Sequence, residues 1–99
     1  MKILIITNYP INENIKNIFD NYSNIKNISY ELLSLEKDIS TKNINKIIIG
    51  IINEAMEKDI MGVLIQHNNP ILLHKLWNEL PTYGLIPFYI YDNIIYEIK

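Results

Sequence analysis

The sequence predicts a small Rossmann-like α/β domain, a three-layer sandwich in the order β-α-β-α-β-α-β-β. Its sheet is mainly parallel and closes with a C-terminal antiparallel hairpin. Three observations predict this. Strand-like apolar runs alternate with amphipathic helices, which is how a parallel sheet with right-handed crossovers is built. The first run, Lys2 to Thr7, is apolar and β-branched throughout, as befits a central strand covered on both faces. Asp92-Asn93 then joins two final apolar runs as a tight-turn pair.

The elements follow in order. After Lys2 to Thr7, Asn-Tyr-Pro stops the strand, and Ile11, Ile15, Ile18, Phe19 and Tyr22 recur at helical spacing. They predict an amphipathic helix from about Asn12, a candidate N-cap, to about Tyr22. Ile28, Tyr30 and Leu32 alternate with Ser29, Glu31 and Leu33 in a second strand. Glu36 to Ser40 is a polar connector, and Ser40 or Thr41 caps a long helix. Its stripe of Ile44, Ile47, Ile48, Ile51, Ile52, Ala55 and Met56 is the strongest periodicity in the chain. Met61 to Gln66 is a third strand, and Asn69-Pro70 starts the next helix with a cap and a proline at the first helical position. Leu72, Leu73, Leu76, Trp77 and Leu80 form its buried face, and Gly84 follows its end. Leu85 to Tyr91 and Ile94 to Ile98 are the fourth and fifth strands. The Ile- and Tyr-rich edge left by that hairpin invites pairing with a second subunit, unless it packs on the domain's own helices.

At 99 residues the chain is a single domain, residues 1–99, with one modest core. The net charge of -2 and the absence of any basic run remove the footprint of a duplex-DNA binder. A small anion is still open to it, because helix N-termini bind phosphate without formal charge. No cysteine is present, which removes disulfides, thiolate chemistry and Cys-type zinc sites and suits a reducing cytosol. The apolar run at the N-terminus is too short for a signal peptide and no stretch reaches membrane-span length, so the expected setting is cytoplasmic, without membrane contact.

In open α/β sheets, ligands sit beyond the carboxyl ends of the strands, where strand order reverses. That rule selects the loops after the first and third strands, which are expected to be neighbours. The third-strand loop offers Gln66, His67, Asn68 and Asn69 in succession. Asn69 as cap would leave the following amides facing outward as an anion site, and His67 is the side chain there of a type that exchanges protons near neutrality. The first-strand loop offers the Thr7 hydroxyl, the Asn8 amide and the Tyr9 ring for stacking on a base. The plainer alternative makes Asn68 and Asn69 a turn and a cap, His67 an exposed residue, and Asn-Tyr-Pro an ordinary strand-to-helix turn. His74 reads as a partly buried helix residue. Glu54, Glu57 and Asp59 lack a histidine and make no convincing metal site. An acidic pair after the first strand, a cysteine there, G-x-G-x-x-G and a Walker-type lysine loop are all missing, which excludes several familiar α/β machines.

Three segments carry a resemblance. Thr7-Asn8-Tyr9-Pro10-Ile11-Asn12, Val63-Leu64-Ile65-Gln66-His67-Asn68 and Tyr83-Gly84-Leu85-Ile86-Pro87-Phe88-Tyr89 stand in the order and spacing of the small ring-nuclease-like proteins of type III CRISPR systems. The resemblance implies a homodimer that binds cyclic oligoadenylate, the messenger of that antiviral defence, across its two-fold axis. It further implies metal-independent cleavage, in which a ribose 2′-hydroxyl attacks the adjacent phosphate and leaves a 2′,3′-cyclic phosphate. Such chemistry needs orientation and hydrogen-bond donors, with no cofactor. Under this reading His67 and Thr7 are the catalytic candidates, and Asn8, Tyr9, Gln66, Asn68 and Asn69 the ligand-binding ones. The family's serine and histidine after the first strand align with Asn8 and Tyr9 here. Tyrosine is a poor general base at neutral pH, so a protein that only sequesters the messenger is a full alternative. An assembly module with no nucleotide ligand is the competing function from a different class.

Overall fold

A computed structural model of the chain describes residues 1–8, 11–36 and 38–97. Strand β1 (Lys2–Asn8) is apolar on both faces and takes a central place in a five-stranded sheet of order β2-β1-β3-β4-β5. β2 (Ser29–Leu35), β3 (Gly62–Gln66) and β4 (Ile86–Tyr91) run parallel to it, and β5 (Ile94–Glu97) returns antiparallel to β4. The helices are α1 (Glu13–Lys26), α2 (Thr41–Glu57) and α3 (Pro70–Glu79), the last running into a 3₁₀ turn at Leu80–Tyr83. The predicted α/β order and mainly parallel sheet are therefore observed.

Alternation along the strands sorts the core into two layers. Leu4, Ile6, Val63 and Ile65 face α2 and α3, meeting Ile44, Ile48, Ile51, Ile52 and Ala55 of one helix and Leu72 and Leu76 of the other. Ile3, Ile5, Leu64 and Phe88 face α1 and meet Phe19. Each fully buried isoleucine contributes about 1.5–3 kcal/mol, so the α2 stripe alone fixes that helix on the sheet.

Several boundaries differ from the sequence expectation, each for a local reason. α1 runs a turn past Tyr22, ending where Asn27 adopts the left-handed region at φ 55° and its N–H bonds the Ser23 carbonyl. Met56 leaves the buried stripe of α2 and is 56% exposed, being one position past the sheet-facing Ala55. Leu80 is buried, yet it opens the 3₁₀ turn instead of closing α3, because Pro81 follows it. Gly84, at φ 73°, then ends that turn. Asn12, Ser40 and Asn69 act as N-caps through their side chains, as predicted. Asp92 and Asn93 both adopt positive φ, 50° and 62°, the signature of a two-residue hairpin turn. Ile98, expected as the end of the fifth strand, lies outside the described residues.

Candidate functional site

β1 and β3 are hydrogen-bonded neighbours, so their C-terminal loops emerge side by side, as the topology rule requires. Together they form a polar crest. Thr7 is in register with Ser34 on β2 and Gln66 on β3, which places three polar side chains in one row on the α1 face. Thr7 is 3% exposed, and its hydroxyl lies 3.4 Å from that of Ser34. The Thr7 hydroxyl expected at the ligand is instead folded under the crest. Ser34 was not singled out in the sequence, although a serine between Leu33 and Leu35 in an otherwise apolar stretch is the signal that marks it.

Asn8 points to the opposite face and reaches the second loop. Its Oδ1 accepts a hydrogen bond from the Asn68 backbone N–H at 3.2 Å, tying the two loops together across 60 positions of sequence. His67 is buried, 8% exposed, which departs from the exposed turn residue of the plainer alternative. Its Nδ1 accepts from the Asn69 N–H at 3.1 Å, and its Nε2 lies 2.8 Å from the Glu36 carbonyl. A backbone N–H can only donate and a carbonyl can only accept, so the ring is the neutral tautomer protonated on Nε2. Both nitrogens are engaged in these bonds. The geometry suits a positioning role for His67 better than the proton transfer expected of it.

The backbone amides expected to cradle an anion are engaged as well. Asn69 Oδ1 accepts from the N–H of Ile71 at 3.0 Å and of Leu72 at 3.1 Å. With Asn68 and Asn69 held by Asn8 and His67, and Pro70 carrying no N–H, this helix start has spent its donors internally. The same bonds orient the side-chain amides. Because Oδ1 of Asn8 and of Asn69 faces a backbone donor, the Nδ2 groups turn away from those bonds. Asn68 is exposed and Gln66 half-buried beside them. The donors that these bonds leave over at the crest are neutral carboxamide N–H groups. Tyr9, the stacking candidate, lies outside the described residues.

Other titratable groups stand apart from the crest. His74 is exposed, in contrast to the partly buried position expected, with its Nε2 3.3 Å from Asn78 Nδ2. Glu54 pairs with Lys58 at 2.7 Å, and among the described residues no group of three metal-ligating side chains occurs. Glu31 accepts from Lys58 and Lys2, which holds its carboxyl below the usual range. Tyr30 is pushed up to about 12, first by burial and then by its hydrogen bond to Asp20. Grooves of about 450 and 460 Å³ open between α2 and α3 and beside Trp77 and Pro87, away from the crest. No described helix is long and apolar enough to cross a membrane. No protein-family model, curated protein or solved structure matches this chain.

Proposed function

We propose that two copies of this chain hold a cyclic oligoadenylate, cyclic tetra-adenylate first among them, between their β1/β3 crests and retain it without rapid cleavage. One observation carries the reading. The Asn8–Asn68 bridge ties the end of β1 to the β3 loop at the switch point and leaves the Asn8 carboxamide N–H group outside that bond. A phosphodiester accepts such donors well, and a fixed loop loses little entropy when it binds. A second subunit supplies the opposite wall of the site. Binding fits better than turnover because both nitrogens of His67 are spent on the Glu36 carbonyl and the Asn69 amide. Any cleavage would rest on orienting the 2′-hydroxyl, with His67 holding the loop that does so.

Calorimetric titration with cyclic tetra- and hexa-adenylate tests this. The expected result is micromolar or tighter binding with one ring per two chains. Chromatography of the ligand after hours with EDTA present should recover it largely intact. Absence of binding at micromolar concentration would leave the second reading, a non-enzymatic assembly module. That reading is favoured by a different observation, the uncovered Tyr- and Ile-rich face of the β4–β5 hairpin.

A further inference from the structure

The sheet has two unlike edges. At the β2 edge, Glu31 holds Lys2 at 3.2 Å and Lys58 at 3.1 Å, a charged cluster of the kind that discourages strand addition. The described residues of β5, Ile94-Ile95-Tyr96-Glu97, contain no proline, lysine or bulge. One face of the hairpin is covered, since Ile90 and Ile95 pack with Phe19 and Phe88 under α1. Its other face carries Tyr89, Tyr91, Ile94 and Tyr96, none of which joins the α2/α3 core. Tyr91 is 70% exposed, Ile94 52% and Tyr96 39%.

The backbone of this edge is self-complementary. Around a two-residue turn, Tyr91 and Ile94 form a hydrogen-bonded pair, and so do Tyr89 and Tyr96. Ile95 and Glu97 therefore turn their N–H and C=O groups outward. If a second β5 is laid antiparallel with the two-fold axis through Tyr96, Ile95 faces the partner's Glu97 twice and four backbone bonds close. Tyr96 then meets its own counterpart at the close, non-bonded spacing of such ladders. It already stacks on Tyr89, with centroids 5.2 Å apart and planes at 20°. The two pairs become one ladder of four tyrosines.

We infer that β5 is a self-association edge, through which a second copy of this chain extends the sheet to ten strands about Tyr96. The three exposed side chains offer roughly 300 Å² of largely apolar surface per subunit, on the usual area of aromatic residues. That is below the ~800 Å² per partner of a stable complex, so the association is weak and follows concentration. The edge is two strands from β3 and leaves the crest free. A chain that also pairs through its crests would grow into a tetramer or a filament.

Backbone amide exchange on the full chain, at high and low concentration, tests the inference. The Ile95 amide should be protected at high concentration and lose roughly tenfold or more of that protection on dilution. Tyr96→Lys should lower the sedimentation mass by half or more and abolish the protection. Fast exchange of Ile95 at every concentration in the unaltered protein would overturn the inference, as would a folded Tyr96→Lys variant of unchanged mass. If that variant misfolds, the dilution series alone decides. Asn68→Ala should leave Ile95 protection intact, so failure at this edge and failure at the crest are separate results.

Discussion

The two halves of the sheet use the same building material to opposite ends. In β2, β1 and β3, helices cover both faces, and the polar residues at the strand ends bond to one another across the loops. In the β4–β5 hairpin the α1 face is covered, and beyond the buried Pro87 of β4 the other face carries exposed tyrosines. A fully covered half can hold a polar crest in one geometry, because the backbone amides of Asn68 and Asn69 are tied to Asn8 and His67. A half-covered sheet keeps surface in reserve for another chain. The difference lies in α3, which ends at Glu79 and whose buried leucines join β1 and β3, leaving the hairpin bare.

Gly62 sits at the seam between the halves, and altering it should have the largest effect. A Cβ there would run into the ring of Phe88 and lie 3.0 Å from the Ile86 carbonyl oxygen. Gly62→Ala should cost about 2–3 kcal/mol by overpacking. In a chain of this size that lowers the thermal midpoint by roughly 10–20 °C, measurable by circular dichroism. Next comes the crest. His67→Ala strands the Asn69 N–H and the Glu36 carbonyl and should cost about 1–3 kcal/mol in urea unfolding. Asn8→Ala exposes the Asn68 amide to water, which replaces the bond, so its cost should be about 1 kcal/mol or less. If Asn8→Ala proved the costlier, His67 would not be the post that holds the crest.

The smallest effect belongs to pH. Tyr30 is raised from 10.0 to about 12 in the folded chain, so folding favours its neutral form. Its contribution is fully present below about pH 10 and is lost as pH rises through about 12. Tyr30→Phe should flatten that alkaline loss of stability and, lacking the bond to Asp20, start from a slightly lower neutral plateau. An alkaline limb identical in both proteins would remove Tyr30 from it.

Much of the fold was legible because short-range signals state it. Asn69-Pro70 announces a helix start, Asp92-Asn93 a hairpin, and the isoleucines of α2 a buried stripe. The location of the crest followed from strand order. Its bonding did not, because it depends on residues far apart in the chain. His67 reads as a free imidazole until Glu36, 31 positions earlier, is placed against its Nε2. The amides after Asn69 read as an anion cradle until its own side chain is seen to fill them. The sequence likewise cannot show which strands a ten-residue α3 will leave bare.

Residue-resolved NMR titration with cyclic tetra-adenylate is the sharpest test of the proposed binding of a cyclic oligoadenylate at the crest. Saturable shifts are expected at the Asn68 and Asn69 backbone amides and the Asn8 and Asn68 side-chain amides, complete at one ring per two chains. Ile95 and the rest of β5 should stay unshifted at fixed protein concentration. A spectrum unmoved by excess ligand, or shifts confined to the hairpin or to the groove between α2 and α3, would contradict it.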